Sequence, residues 1–163
     1  MLQKTVRGIL LGLMMVLFLT SGIVIGAGQE PALTSNAAKD EILVATSQGV
    51  SIIGKDGWSV LDESKGLPHN RVNAIAVDKE TRIWLAHGSG LSVLDQDQWD
   101  HYLRFEMFKV LGFSINDINA LACDAQGRVW AGHSQGLYVI ENGEWKTYEG
   151  SVFGPKNTWV SRI

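Results

Sequence analysis

The strongest constraint on the fold is a segment that recurs three times along the chain. The second copy runs RIWLAHGSGLSVLDQDQW over residues 82–99, the third runs RVWAGHSQGLYVIENGEW over 128–145, and a weaker first copy runs EILVATSQGVSIIGKDGW over 41–58. Corresponding glycines at positions 49, 90 and 136, and tryptophans at 58, 99 and 145, are separated by 41 and then 46 residues. A repeat of this length, with short strands and a recurring tryptophan, is typical of β-propeller blades.

Within each copy, apolar and polar residues alternate with the period of two that predicts β-strands. In the second copy the predicted strands span Val72–Asp78, Ile83–His87, Leu91–Leu94 and Trp99–Tyr102, with Gly88–Gly90 as a tight hairpin turn. The third copy repeats these steps from Ile118 to Tyr148. The sequence therefore predicts an all-β fold: a partial β-propeller of about three four-stranded antiparallel blades, preceded by one N-terminal apolar helix.

The predicted units lie near residues 41–70, 71–116 and 117–157, with the start of a further unit at 158–163. The first unit is expected to begin at its second strand, Ile42–Thr46, because no inner strand is visible before it. Propellers usually close with about 4–8 blades. Two explanations remain open: the chain is the N-terminal fragment of a longer protein, or two copies close one six-blade ring, each last strand completing the other copy's first blade.

Residues 1–28 form a predicted membrane-targeting segment. Lys4 and Arg7 precede 21 uncharged residues, 8–28, and about 20 apolar residues suffice to span a bilayer as a helix. The run is either a retained signal anchor or a signal peptide cleaved near the small residues Gly26–Gly28, and its length favours the anchor. Both interpretations place everything after residue 28 on the periplasmic or extracellular side. Residues 29–40, with Pro31, are predicted to be a linker.

Composition excludes several classes of function. After residue 28 the chain carries 12 basic and 17 acidic residues, so it lacks the positive surface that nucleic-acid binding requires. The single cysteine, Cys123, can form no internal disulfide and is expected to be a small buried apolar residue. No Cys/His spacing resembles a zinc site. No metal and no cofactor are predicted.

Four residues at equivalent repeat positions are candidates for a chemical role. His87 and His133 are either a pair of metal ligands or hydrogen-bonding residues at a strand end; Thr46 in the same repeat position favours the second reading. Asp78 and Asp124 are either an acid–base pair or acceptors for the following turn, and repeat equivalence again favours the structural role.

The sequence does not identify the residues of a ligand-binding site. His69 and His101 have no partner that the sequence reveals. Residues 103–114 carry four apolar side chains that either line a site, cap the core or form one short helical turn: Phe105, Phe108, Leu111 and Phe113. No catalytic residue is predicted.

The repeated residues resemble the two-component regulator propeller repeat. The matching positions in this sequence are Asn70, Val72, Ile75, Asp78, Ile83, Trp84, Gly90 and Leu91, and then Asn116, Ile118, Leu121, Asp124, Gly127, Val129, Trp130, Gly132, Gly136 and Leu137. Thr81 replaces the glycine usual at the turn, and His87 and His133 stand where threonine is usual. The resemblance implies the periplasmic sensor region of bacterial membrane-bound histidine kinases, whose propellers are thought to bind ligands, often carbohydrates.

The expected function is therefore an extracytoplasmic ligand-binding or sensor module. Two alternatives are a propeller enzyme acting on polysaccharide, of lyase or glycosidase type, and a non-catalytic scaffold for protein–protein interaction. An enzyme requires a cluster of carboxylate, tyrosine or histidine side chains that breaks the repeat symmetry, and the sequence reveals none.

Overall fold

The computed structural model describes residues 32–111, 118–133 and 136–149. These residues contain twelve strands, one α-helix and one short 3₁₀ helix, Glu63–Lys65. In chain order the longer elements are β1 (Leu33–Asn36), β2 (Glu41–Thr46), β3 (Gly49–Gly54), β4 (Gly57–Leu61), β5 (Val72–Val77), β6 (Ile83–His87), β7 (Gly90–Asp95), β8 (Gln98–Leu103), α1 (Arg104–Leu111), β9 (Ile118–Cys123), β10 (Val129–His133), β11 (Gly136–Glu141) and β12 (Glu144–Glu149).

The strands form three four-stranded antiparallel sheets, each ordered as in the chain: β1–β4 (blade 1), β5–β8 (blade 2) and β9–β12 (blade 3). The register repeats as the sequence predicted: Ile83 pairs with Leu94 in blade 2, and Val129 pairs with Ile140 in blade 3. Strand β5 contacts both β1 and β9, so the first strands of the three blades are neighbours. This is the side-by-side arrangement of propeller blades, and it confirms the predicted all-β architecture.

Blade 1 corrects one expectation. Residues 29–40 were predicted to be a linker, and the first unit was predicted to lack its inner strand. Instead, β1 pairs antiparallel with β2, with Leu33 opposite Val44 and Asn36 opposite Glu41. Blade 1 is therefore complete, and the exchange of a last strand between two copies is not needed to finish it.

Two apolar clusters occupy the seams between neighbouring blades. The seam between blades 1 and 2 buries mainly aliphatic residues: Leu43, Ala45, Val50, Leu61, Leu67, Val72, Ile75, Ile83 and Leu85. The seam between blades 2 and 3 buries Ala74, Ala76, Trp84, Ala86, Leu91, Val93, Met107, Ile118, Val129, Ala131, Tyr138 and Ile140. Trp99 packs against the first cluster and Trp145 against the second, so these two repeated tryptophans help to join the blades.

The repeated hairpin glycines are required by a close backbone approach. Gly90 has a φ of 141°, and a Cβ at this position would collide with the carbonyl oxygen of Tyr102 on β8. Gly49 has a φ of 112° and meets the carbonyl of Leu61 in the same way. Only glycine combines this φ with so short an approach, which explains why the residue recurs at the hairpin.

The connections between blades differ from one another. Between blades 1 and 2, the backbone N–H of Glu63 donates to Oδ1 of Asn70 (2.8 Å), and the Asn70 N–H donates to Oε1 of Glu63 (3.0 Å). After blade 2 the chain forms helix α1, and a short helical turn was one of the alternatives expected for residues 103–114. The predicted N-terminal segment 1–28, Phe113 and the predicted strand 158–163 lie outside the described residues.

Candidate functional site

The two ends of the blades carry different kinds of loop. At one end, β5 begins at Val72 beside the end of β6 at His87, and β7 begins at Gly90 beside the end of β8 at Leu103. The chain passes from blade to blade at this end, through residues 62–71 and through α1, so we call it the connection end. Loops that differ between repeats commonly carry function, because the repeated strands hold them in place.

A hydrogen-bonded chain of three side chains lies at the connection end of blade 2. Nε2 of His87 lies 2.7 Å from Oγ of Ser92, and Oγ of Ser92 lies 2.9 Å from Nδ1 of His101. His87 and Ser92 are fully buried, whereas His101 is exposed. These three residues, which we call the His87 cluster, connect the interior of the blade to its surface.

The direction of the hydrogen bonds follows from the backbone. The N–H of Ser89 donates to Nδ1 of His87 at 3.2 Å, so the neutral His87 ring carries its proton on Nε2. That proton is donated to Ser92, whose own hydroxyl hydrogen is then left to donate to Nδ1 of His101. Neutral His101 therefore carries its proton on Nε2, on the far side of the ring. The cluster thus sets the tautomer of an exposed imidazole.

The charge state of His87 is controlled by its surroundings. Burial lowers the pKa of His87 to about 4, and electrostatic repulsion from the imidazoles of His101 and then His69 acts in the same direction. His87 is therefore neutral at physiological pH, as its place in the hydrogen-bonded chain requires. His69 lies beside the turn after β6: a Cβ on Gly88 would be 3.1 Å from its ring, and its Nδ1 accepts the N–H of Arg71.

The exposed end of the cluster stands on an aromatic support. The rings of His101 and Trp99 stack, with centroids 5.5 Å apart and an interplanar angle of 28°. Trp99 is fixed in turn, because its Nε1–H donates to the carbonyl of Lys65 at 2.9 Å and its ring lies against Gly66. Through its contacts with Trp99, the connection between blades 1 and 2 therefore fixes the position of His101.

The His87 cluster does not recur in the other two blades. In blade 3, Tyr138 stands at the position of Ser92 and Thr147 at that of His101. His133, the counterpart of His87, stacks on Tyr138 with centroids 4.1 Å apart, and burial lowers its pKa. In blade 1 the corresponding Thr46 donates its hydroxyl to the carbonyl of Gly49. Among the described residues, the cluster breaks the repeat symmetry at blade 2.

Sequence reasoning placed only part of this site. It identified His87 as a repeat position at a strand end, but it found no partner for His69 or His101 and did not single out Ser92. The signal that could have found the cluster is the hairpin register, which pairs Ser92 with His101 and places both polar residues where blade 3 has Tyr138 and Thr147.

Comparison with known proteins agrees with the repeat analysis. Residues 66–89 and 112–135 each match the family described as the two component regulator propeller. Two segments of the chain are thus similar to this propeller repeat. No curated protein matches it.

Solved structures share the fold of this propeller. The extracellular domain of a protein described as a hybrid two component system from B. thetaiotaomicron matches with a TM-score of 0.62 and 22% identity, over 78% of this chain and 19% of that one. A catalytically inactive histidine-to-alanine variant of virginiamycin B lyase from Staphylococcus aureus, solved with quinupristin, matches with a TM-score of 0.62 and 14% identity, over 86% and 48%. A streptogramin B lyase structure matches with a TM-score of 0.58 and 12% identity, over 78% and 43%.

These likenesses concern the fold alone. The chain spans about a fifth of the first structure and just under half of each lyase.

Asp78 and Asp124, at equivalent positions of the repeat, stabilise the turn after the first strand of blades 2 and 3. The carboxylate of Asp78 accepts backbone N–H groups from Glu80 (3.1 Å) and Arg82 (2.9 Å), Nε of Arg82 (2.7 Å) and Nε1 of Trp84 (2.9 Å). Asp124 makes the same four contacts in blade 3, and despite the opposing effect of burial these hydrogen bonds lower its pKa to about 2. Both carboxylates are fully engaged, so neither is available as an acid or base.

The remaining candidates form no metal centre in the described part of the chain. Cys123 is half-buried and packs against the cluster between blades 2 and 3; burial, followed by the charge of Asp78, raises its pKa to about 12. Within residues 32–111, 118–133 and 136–149, no group of three or more His, Cys, Asp or Glu side chains is arranged to hold a metal ion. In the same ranges, no helix is both apolar enough and long enough to cross a membrane.

Proposed function

We propose that the chain is an extracytoplasmic ligand-binding module of the two-component sensor type, and that its ligand binds at the connection end, against His101. The observation that carries the proposal is the His87 cluster. It is a polar group that breaks the repeat symmetry, reaches the surface, and lies at the end where the connections vary. The repeated aspartates Asp78 and Asp124, by contrast, accept hydrogen bonds that stabilise the turns after the first strands of blades 2 and 3.

The chemistry of His101 favours a ligand rich in oxygen acceptors. Its exposed Nε2–H is a hydrogen-bond donor in a fixed orientation, and Trp99 beside it offers part of an aromatic surface. Hydroxyl oxygens together with the apolar face of a sugar ring suit such a pair. We therefore propose a carbohydrate as the ligand class, which the family resemblance also implies.

The proposal is tested by titrating full-length protein in detergent with a panel of mono- and oligosaccharides while recording tryptophan fluorescence. A sugar bound at His101 lies close to Trp99 and changes its emission. His101→Ala is expected to weaken binding severalfold, since one hydrogen bond contributes about 1 kcal/mol. Thr147→Ala, the matched position in blade 3, is expected to bind normally. Equal binding by wild type and His101→Ala places the ligand elsewhere and refutes the assignment.

A second candidate function is catalysis by the exposed imidazole. The specific observation is that Ser92 orients His101 through Nδ1 and leaves Nε2 outward, as a general acid or base requires. Incubating the protein with quinupristin, the compound present in the S. aureus lyase structure, separates the two functions. Cleavage that is lost in His101→Ala supports an enzyme, whereas unchanged quinupristin supports the binding module.

The extracytoplasmic location is a separate part of the proposal. It rests on the uncharged run 8–28 behind Lys4 and Arg7, either as a signal anchor or as a cleaved signal peptide. Protease treatment of spheroplasts that express the tagged chain tests it. Digestion of the blades in intact spheroplasts is expected, and protection until lysis would place them in the cytoplasm.

A further inference from the structure

The connection end holds a second exposed imidazole, His69, in a fixed orientation. Its Nδ1 accepts the backbone N–H of Arg71 at 3.0 Å. The ring lies over the turn that follows β6, because a Cβ on Gly88 would be 3.1 Å from three ring atoms, Nε2 among them. The backbone N–H of Gly88 donates in turn to the carbonyl of Arg71 at 3.2 Å. The connection and the turn therefore both hold His69 in place.

His69 and His101 present the same chemical group to the solvent. Each ring accepts a hydrogen bond at Nδ1, so in its neutral form each carries its proton on Nε2. Both side chains are exposed. After burial, which is the larger cause, electrostatic repulsion from His101 and then His69 lowers the pKa of His87, so both rings lie near this residue. Two outward N–H donors thus stand near one turn, and neither ring has an acceptor nitrogen left.

A positive charge accompanies these two donors. Arg71 is exposed, and its guanidinium forms no ion pair with any residue in the part of the chain that the structure describes. The two carboxylates of the connection, Asp62 and Glu63, both accept backbone N–H groups within the connection. Asp100 directly precedes His101 on β8 and therefore lies on the opposite face of the blade. A ligand beside His101 thus meets donors and a cation.

We propose that His69 and Arg71 are further ligand contacts of the site at His101, and that together they select an acidic sugar. The inference rests on the proposed function, because it extends the same site. Hydroxyl and carboxylate oxygens can accept from both Nε2–H groups, whereas an ammonium group finds no acceptor on either ring. The carboxylate of the sugar lies against Arg71, and hydrogen bonds between charged groups are roughly twice as strong as neutral ones.

The first test compares sugars that differ in one group. Full-length protein in detergent is titrated with glucuronate and with glucuronamide, its neutral isostere, while tryptophan fluorescence is recorded. Glucuronate is expected to bind about fivefold more tightly, because a hydrogen bond to a charged group contributes about 1 kcal/mol more than a neutral one. Glucosamine is expected to bind more weakly than glucose. Equal affinities for glucuronate and glucuronamide, or tighter binding of glucosamine than of glucuronate, would overturn the proposed selectivity.

The second test assigns the selectivity to residues. Arg71→Gln should remove the preference for glucuronate over glucuronamide and leave the affinity for glucuronamide unchanged, since the backbone N–H that holds His69 is retained. Lys55→Gln is the matched control: it removes one positive charge from an exposed turn at the other end of blade 1, and it should keep the preference. His69→Ala should weaken the binding of both sugars about fivefold. His69→Gln retains an N–H donor and should recover part of this loss.

The outcomes separate this inference from the proposed function. If no sugar binds, or if His101→Ala binds sugars as wild type does, the proposed function fails and the inference fails with it. If sugars bind in a His101-dependent manner but Arg71→Gln and His69→Ala bind glucuronate as wild type does, the site at His101 stands and the assignment of these two further contacts is refuted.

Discussion

Oγ of Ser92 lies 2.9 Å from Nδ1 of His101, and this hydrogen bond joins an exposed imidazole to the buried interior of blade 2. The same oxygen lies 2.7 Å from Nε2 of His87. Ser92 therefore has both of its hydrogen-bonding roles filled: it accepts from one histidine and donates to the other. Its substitution affects two histidines at once, and the two effects can be measured separately.

Ser92→Ala is expected to allow neutral His101 to populate both of its tautomers. In wild type, ¹⁵N chemical shifts of neutral His101 should show protonated Nε2 and unprotonated Nδ1; without the Ser92 hydroxyl both tautomers should appear. The variant should also lose about 1–3 kcal/mol of unfolding free energy, since Nε2–H of His87 is left buried without an acceptor. Ser51→Ala, at the equivalent buried position of blade 1, should leave the His101 spectrum unchanged. An unaltered spectrum in Ser92→Ala would contradict the hydrogen-bond direction assigned here.

Acidification is expected to destabilise the protein through His87. Burial lowers the pKa of His87 from 6.5 to about 4, so between these values the unfolded chain binds more protons than the folded one. Stability is then lost as the pH falls from about 6.5 towards 4, and each pKa unit corresponds to about 1.4 kcal/mol. Urea unfolding across this range should show the decline, and His87→Gln should flatten it.

Comparing wild type with His87→Gln separates the effect of His87 titration on stability from the effects of His133 and Asp124. The pKa of His133 is also lowered by burial, so some decline should remain in the variant. Asp124 acts at lower pH: its folded pKa of about 2 lies below the unfolded 3.8, so its contribution is lost only as the pH falls through that interval. A pH profile identical in wild type and His87→Gln would show that His87 is not the titrating group.

The strands of blades 2 and 3 were predictable because the residues that define each strand and its turns lie close together in the sequence. Alternation in residues 72–77 and 118–123, the hairpin glycines and the turn aspartates all act within a few residues of one another. Strand β1 lacks such a pattern: Leu33 is followed by three polar residues, Thr34, Ser35 and Asn36. It is a strand because β2 offers it an unpaired edge, and backbone pairing of that kind leaves little trace in side-chain type.

The His87 cluster was missed for a related reason. Ser92 and His101 are nine residues apart, and they meet only because β7 and β8 pair with Leu94 opposite Trp99. A shift of one residue in this register would move His101 to the other face of the blade. Repeat comparison identifies what the three units share, whereas this site consists of residues that they do not share.

Asp78→Ala is expected to destabilise the fold more than Asp124→Ala. Both substitutions remove four hydrogen bonds, but the side chain of Asp78 is fully buried and that of Asp124 is 22% exposed, so water can replace part of what is lost in blade 3. Breaking a buried ion pair by removing one partner typically costs about 3–5 kcal/mol. Unfolding in guanidinium chloride measures the two losses, with Asp97→Ala in an exposed turn as the control. Equal losses would mean that burial does not distinguish the two turns.

Thr81→Gly is expected to stabilise the protein. Thr81 occupies the turn position held by Gly127 in blade 3, and both residues adopt left-handed backbone conformations, with φ of 67° and 85°. A β-branched residue is strained there by about 1–2 kcal/mol, and the greater freedom of glycine in the unfolded chain offsets roughly half of the gain. The melting temperature should therefore rise by a few degrees. Glu80→Gly, one residue earlier and outside the left-handed region, should lower it, and Gly127→Thr should introduce the same strain into blade 3. A Thr81→Gly protein that melts below wild type would show that the threonine side chain stabilises the turn by more than its backbone strain.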